Sequence, residues 1–584
     1  MQNTPKGQGQ QTPVLLWVLL AVPVGYLALV LADVWEQGVV LADFFEQLQT
    51  KLFAPWLVRW TDKSVAFLLG FLAVYGLAVF CFRSEQGNRR PGEEHGSAKW
   101  GNPKALNKKY ANLKDSTDNI ILTQNVSIGY DTHRHRRNLN ILVVGSSGSG
   151  KTRFYCKPQL YNANGSCSYV VADPKGEMLA AAGPLLLARG YDLTVLDLVH
   201  MTGGYNPFCY MDNDRDTISL IHNLIMNTTP KESKTSDPFW DKAETALLMA
   251  LILYLRHEAV PEEQNFPTVM AMLLSIEVRE EDEDFQSPLD LLFEALEEQD
   301  PEHIAVKFYK VFKASAGKTA KSIIVSAAVR LSAMNIASVA RMMSHDEMDF
   351  GSLGERKRAV FCILPDNDQS LNYIVGMLYT QCFQVLYRKA DFEYGGQLPL
   401  HVHFIQDEWA NVYSGDAPSI LSTCRSRRIS CSIIVQNISQ IKEKYKDSWE
   451  SIMGNTDEIL VLGTSEVNSA EQFSKMLGKS SIIVKNTGIT RGRSGSSSEN
   501  LQSSGRELMT PDEIRLMDNR YALLFIRGEH PVMDLKYDIM KHPNIHLTAD
   551  GGAEPYFISR HGESYARKAL SFNFEDIESI KIVA

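Results

Sequence analysis

The chain has few cysteines, and they follow no ligand pattern. The eight at positions 81, 156, 167, 209, 362, 382, 424 and 431 include no CxxC pair and no pairing with histidine at zinc-ligand spacing. This excludes a zinc ribbon or finger and leaves the cysteines as small apolar residues of a reduced compartment. A basic excess is also missing. With 59 Lys and Arg against 69 Asp and Glu the formal charge is -10, so the surface as a whole does not attract nucleic acid and any such contact is local. No long Pro- or Gln-rich linker divides the chain.

Two uncharged runs stand out near the N-terminus, VLLWVLLAVPVGYLALVLA (14–32) and SVAFLLGFLAVYGLAVFCF (64–82). Each is long enough to cross a hydrocarbon core of roughly 30 Å. A cleaved signal is the alternative for the first, with Val30-Leu31-Ala32 as its cleavage site. The length of the run, Pro23 in its middle and the single Lys6 ahead of it argue against that. The alternative for the second is a buried core helix. The expected arrangement is a cytoplasmic tail (1–13) and a membrane anchor (14–82) with an extracytoplasmic loop (33–63). Arg83, Arg89, Arg90 and Lys99 follow the second run, whereas Lys51, Arg59 and Lys63 sit among acids in the loop, so the remainder of the chain is placed inside.

From about residue 140, apolar β-type runs alternate with helical patterns, which predicts an α/β fold with a parallel sheet wrapped by helices. The expected strands are NILVV (from 140), SYVVAD (168), DLTVLDL (192), AVFCILP (359), HVHFIQDE (401), ISCSIIVQ (429) and EILVLG (458). Between 211 and 350 only helical periodicity appears, predicting an inserted all-α domain that splits a nucleotide-binding domain into 83–210 and 351–550. The acidic stretch 277–302 reads as a solvated face or as a docking surface for a basic partner. The Ser/Gly-rich stretch 488–507 reads as a flexible loop. It is followed by a capping box of Thr510 and Glu513 with Pro511 at the first helical position. Residues 551–584 read as a tail.

The segment ILVVGSSGSGKTRFY (141–155) satisfies GxxxxGK[ST] between a strand and a helix. Gly145, Ser146, Ser147, Gly148, Ser149, Gly150, Lys151 and Thr152 form the expected phosphate cradle. Glycines let backbone N–H groups turn inward, the helix N-terminus adds partial positive charge, Lys151 reaches the β and γ phosphates, and Thr152 holds Mg²⁺. An ordinary Gly/Ser turn is the alternative, and the strand and helix on either side argue against it. A second GKT, at 317–319, has no strand before it and reads as helix. HVHFIQDEWANV supplies Asp407 for the Mg²⁺ shell and Glu408 to polarise an attacking water. A helix cap is the alternative role for this acid pair. Gln436 ends the next strand and can hold a water or feel the γ phosphate through its amide, or be a plain surface residue. CRSRR (424–428) offers an arginine that reaches a neighbour's site, a solvated face, or a contact to DNA phosphates.

With these residues in place the chain resembles the type IV coupling proteins, the TraG/TraD class of conjugation ATPases, over nearly its whole length. The shared parts are the two membrane runs, HGSAKWG (95–101), the phosphate loop, VVADPKGEM (170–178), YNPF (205–208), DPFWDKAETALL (237–248), QDEWANV, STCRSRRISCSIIVQNISQI and RELMTPDEIRLM (506–517). The polar Gln406 before the acids departs mildly from the pattern. The resemblance implies a RecA-like P-loop NTPase domain with an inserted all-α domain, forming a homo-hexamer on the cytoplasmic face of a bacterial plasma membrane. It implies ATP and Mg²⁺ as cofactors. The implied partners are single-stranded DNA carrying a relaxase and accessory proteins, or protein effectors, and the components of a type IV secretion channel. Lys151 and Thr152 match the Walker A pair, Asp407 and Glu408 the Walker B pair, Gln436 the sensor glutamine, and Arg425 the trans-acting finger, with Arg427 and Arg428 close by. Asp173, Lys175 and Glu177 belong to a family signature without a derivable role. An FtsK/HerA-like duplex DNA translocase and a non-hydrolysing, nucleotide-gated scaffold are the alternative functions.

Overall fold

The computed structural model describes residues 14–36, 41–85, 93–229, 238–277, 285–314, 317–365, 368–412, 417–490 and 496–557. They divide into two compact units, Met1–Ser97 with Ser481–Gly505, and Ala98–Ser480 with Arg506–Ala584.

In the first unit the helices Val14–Glu36 and Ser64–Glu85 pack side by side. Both are long and apolar enough to cross a membrane, with mean hydropathy 2.1 over Leu16–Trp35 and 2.5 over Ser64–Ser84. The Tyr75 hydroxyl donates to the Trp17 carbonyl at 2.8 Å. The connection expected as a loop (33–63) is instead partly helical, over Leu41–Phe53. Its fold is set by a buried carboxylate: Asp33 accepts from Lys51 Nζ at 2.7 Å and from the Arg59 N–H at 3.1 Å. Trp35, Trp56 and Trp60 are exposed near this end of the bundle, the residue type that collects where hydrocarbon meets water.

The second unit is built on strands β1 (Asn119–Ile121), β2 (Ser127–Gly129), β3 (Ile141–Gly145), β4 (Cys167–Pro174), β5 (Asp192–Asp197), β6 (Arg358–Leu364), β7 (His401–Gln406), β8 (Ile429–Val435) and β9 (Glu458–Gly463). β10 (Lys479–Thr490) and β11 (Ser496–Glu507) form a two-stranded sheet that falls mostly in the first unit, and β12 (Tyr521–Ile526) and β13 (Val532–Leu535) complete the strands of the second. The main sheet runs β13-β12-β9-β3-β8-β7-β4-β6-β5. Its seven strands from β9 to β5 are parallel, and β12 and β13 add an antiparallel edge. The stretch 488–507 is therefore not the loop its Ser/Gly content suggests, since 488–490 and 496–507 are strand. Residues 491–495, and the tail beyond 557, lie outside the described residues.

Side chains alternate across the sheet with the strand period of two. Leu142, Val144, Val170, Phe404, Ile433 and Val461 enter one core, and Ile141, Val143, Val171, Ile405, Ile434 and Leu460 the other. The first core is continuous with the helices of the 211–350 stretch. Asp214–Thr228 packs on Asn372–Arg388, and Leu220, Leu247, Phe266 and Phe312 share the core with Phe404. Among the described residues 211–350 contain no strand, yet they are not a separate compact unit. The second GKT opens the helix Gly317–Arg330. Part of the acidic stretch, 278–284, lies outside the described residues, and the rest is partly matched within the chain, where Lys307, Lys310 and Lys313 pair with Glu302, Glu297 and Asp290.

Phe404 is fully buried in β7 and stacks on Phe383 at 4.2 Å. Phe404→Ala is expected to lower stability by about 3–5 kcal/mol, read as an earlier chemical-denaturation midpoint.

Candidate nucleotide site

β3 is buried along its whole length and delivers Gly145 to the C-terminal edge of the sheet. The loop that follows turns through Gly148 at φ 78° and Gly150 at φ 82°, backbone geometry that only glycine adopts without strain. A Cβ on Gly150 would lie 2.4 Å from the Phe154 ring, and one on Gly145 would lie 2.3 Å from Ser149 Oγ. The left-handed backbone and the Phe154 ring exclude a side chain at Gly150, whereas one at Gly145 would displace Ser149 Oγ from the loop.

The loop is tied down from outside. The Ser146 N–H donates to the Gly463 carbonyl at 3.0 Å, the Ser149 N–H to the Ser146 carbonyl at 3.0 Å, and the Phe154 N–H to the Gly150 carbonyl at 2.7 Å. Among the described residues the N–H groups of Gly148, Gly150 and Lys151 donate to no protein carbonyl, and the buried Ser149 Oγ has no partner. Unfilled donors around a glycine loop at a helix start fit a phosphate chain.

The carboxylates come from β7. Asp407 accepts from Thr152 Oγ1 at 3.0 Å and from the Glu408 N–H at 3.0 Å. Burial raises the Asp407 carboxyl above its ordinary range, against the pull of Thr152 and Lys151. A hydroxyl and a carboxylate held together beside a phosphate cradle are a donor set suited to Mg²⁺. Glu408 has φ 53°, a left-handed conformation rare for a side-chain-bearing residue. Its Oε2 accepts from Asn411 Nδ2 at 2.8 Å. The turn that carries it is clamped to the helix Ile438–Tyr445, because Trp409 stacks on Tyr445 at 4.8 Å and Lys444 donates to the Ala410 carbonyl at 2.7 Å.

Gln436 follows β8, which lies between β3 and β7. It therefore sits at the same sheet edge as Lys151 and Glu408, and its N–H is held by Gln440 Oε1 at 2.9 Å. Arg425 does not join them. It precedes β8, at the opposite edge, separated by a seven-residue strand that spans roughly 20 Å. Its neighbours are occupied: Arg427 makes a bidentate pair with Asp391 at 2.9 and 2.7 Å, and Arg428 donates to the Leu398 and Pro399 carbonyls. Arg425 is exposed and makes no ion pair among the described residues.

Asp173 has a structural task, since its carboxylate accepts the N–H groups of Met178 and Leu179 at 3.0 and 2.7 Å and starts the helix Glu177–Ala188. Burial raises it to about 7, and the nearby charges of Asp407 and Glu177 add to the rise. The Glu177 charge also pushes the Asp407 carboxyl up. Sequence reading missed Lys536 altogether. This buried lysine donates to the Ser149 carbonyl at 2.9 Å and to Asn519 Oδ1 at 2.6 Å, and lies 5.2 Å over the Phe154 ring. Burial lowers it to about 8, with Asp518 opposing the drop. Nearly 400 residues separate it from the loop, and no local pattern marks it.

Under the sheet, a buried polar chain reaches the helix after the loop. His401 Nε2 and His403 Nδ1 each bond Ser430 Oγ at 2.6 Å, His403 Nε2 bonds Ser432 Oγ at 2.8 Å, and Ser432 Oγ bonds the Tyr155 hydroxyl at 2.6 Å.

The family model described as type IV secretory system conjugative DNA transfer matches residues 99–546. The chain belongs to that family. Among its relatives are the VirD4 protein of Rhizobium radiobacter, 21% identical over 67% of this chain and 55% of its own length, and the conjugal transfer protein TraG of Escherichia coli, 23% identical over 79% of each. The chain thus spans about half the length of the VirD4 relative. The fold is that of the plasmid coupling protein TrwB, a RecA-like NTPase with a helical domain. Its structure with the non-hydrolysable ATP analogue ADPNP superposes at TM-score 0.55, with 15% identity, over 77% of this chain and 95% of that one. TrwB has also been solved with ADP and Mg²⁺.

Burial holds the folded His403 neutral down to about 3, whereas the unfolded chain takes up that proton near pH 6.5. Folding stability from this group is therefore complete above about 6.5 and is lost as pH falls towards 3. His403→Gln removes that loss. Melting temperatures of wild type and variant are expected to differ more at pH 7 than at pH 4.5, and an equal gap at both would contradict the assignment.

Proposed function

We propose that the chain is a membrane-anchored P-loop ATPase that couples a DNA–relaxase complex or a protein substrate to a type IV secretion channel and energises conjugative transfer. One observation carries the catalytic part: Thr152 meets Asp407 across an intervening strand, with Glu408 next in the chain and Lys151 in the adjoining loop. Residues 145–152 hold the triphosphate, and Thr152 and Asp407 hold Mg²⁺, which supplies charge neutralisation at the phosphates. Glu408 accepts the proton of the attacking water, its carboxylate aimed by Asn411, and Gln436 positions that water from the end of β8.

Arg425 acts in the neighbouring copy. Its place at the far sheet edge excludes its own nucleotide, and a ring of copies, a homo-hexamer in this family, brings that edge against the next site. The exposed tryptophans and the two apolar helices support a two-pass anchor in the bacterial plasma membrane, with the ATPase unit on the cytoplasmic side. Single-stranded DNA with bound relaxase and accessory proteins, and the channel components, are the partners. Membership of the conjugative transfer family favours this reading over an FtsK/HerA-like duplex translocase.

Glu408→Gln is expected to keep nucleotide binding and to lose turnover by about 10²- to 10⁴-fold, and to abolish transfer of a marked element. Transfer that survives would instead make the protein a nucleotide-gated scaffold. Arg425→Ala is expected to lose about 10³- to 10⁵-fold. Mixed assemblies of Arg425→Ala and Glu408→Gln subunits regain turnover if the arginine serves the adjacent copy, because one interface type then has both groups. A finger acting within its own subunit predicts no recovery.

A further inference from the structure

We propose that Lys536 is a positioning residue for the nucleotide, holding the phosphate loop in its binding conformation through the Ser149 carbonyl. The inference rests on the nucleotide-site reading above and extends it to a residue from the opposite end of the chain.

The lysine leaves the end of β13, the outermost antiparallel strand, where it and Asn519 stand at the same sheet edge as the loop. Its ammonium sits under the loop and bonds the Ser149 carbonyl at 2.9 Å. Asn519 Oδ1 fixes the ammonium from the side at 2.6 Å, the Phe154 ring covers it, and its own N–H is anchored on the Arg520 carbonyl at 2.8 Å. The residue is 5% exposed, so solvent competes little for these bonds.

The consequence follows from peptide geometry. No peptide bond in the described chain is cis, and in a trans peptide the C=O and the next N–H lie in one plane and point in opposite directions. Holding the Ser149 carbonyl towards Lys536 therefore turns the Gly150 N–H the other way, into the cradle, where it has no protein acceptor. Gly150 sits at φ 82°, so this plane is held in a conformation that the local chain does not favour by itself for most residues. A charge-assisted bond from a largely buried ammonium restrains that peptide more firmly than a neutral hydrogen bond would. The lysine also places a positive group behind the loop, adding to the field that Lys151 sets up in front of it.

The test uses the full chain in detergent or lipid nanodiscs, with Lys536→Met, which keeps length and loses the donor, and Lys536→Arg, which keeps one. Affinities for ADP and for pyrophosphate are measured alongside the melting temperature without nucleotide. Lys536→Met is expected to weaken both ligands by about tenfold and to the same extent, because the loss lies at the phosphates, with Lys536→Arg recovering part of it. Asn519→Ala, which frees the ammonium on one side, is expected to show the same equal loss at smaller size, and keeps the test open if the lysine variants do not fold. Wild-type affinity in Lys536→Met overturns the proposal, as does a loss that tracks a lowered melting temperature and is not recovered by arginine. A wild-type protein that binds neither ligand would overturn the nucleotide-site reading instead.

Discussion

The hydrogen bond from Thr152 to Asp407 joins two strands that do not touch. β8 lies between β3 and β7, so the hydroxyl and the carboxylate meet only above the sheet's C-terminal edge. Everything chemical in the molecule depends on the strands at that edge being held in order and in register. The buried alternation of β3, β7 and β8 does the holding, through two cores that grip opposite faces of the same strands. Parallel strands send all their C-terminal ends to one side, which is where such folds place their ligands.

The site is also braced from three sides by groups that stand outside the phosphate cradle itself. Trp409 on Tyr445 ties the acidic turn to the helix beyond Gln436. Asp173 starts the neighbouring helix from within the sheet, and its burial beside Asp407 and Glu177 concentrates acidic groups where a divalent cation would offset them. From the antiparallel edge, β12 and β13 bring Asn519 and Lys536 under the loop. The left-handed backbone at Glu408 shows how tightly the turn is specified, since such a conformation survives only where its surroundings over-determine it.

Much of this was legible in the chain. The seven parallel strands were marked by apolar runs because both of their faces are buried. The loop 145–152 and the acids 407 and 408 were marked by a spacing that phosphate and Mg²⁺ chemistry requires. Strand β11 was not, because its serines and glycine carry weak strand propensity and suggest a loop. The connection 33–63 also held its helix Leu41–Phe53 in plain view, with apolar residues at 41, 44, 45, 48 and 52 at helical spacing, a pattern that reading the segment only as a loop between two membrane runs passes over. The helical stretch 211–350 was visible as helix, but its core proved continuous with one sheet face.

By itself, then, the sequence determined which residues could cradle phosphate, ligate a cation and activate water, because those tasks demand particular side chains at short, fixed spacing. Only the tertiary structure decided the strand order that sets Gln436 between Lys151 and Glu408, the commitment of Arg427 and Arg428 to partners of their own, and the arrival of Lys536 beneath Ser149. These are contacts between residues up to several hundred positions apart, and they depend on how the chain crosses from strand to strand, which no local pattern encodes.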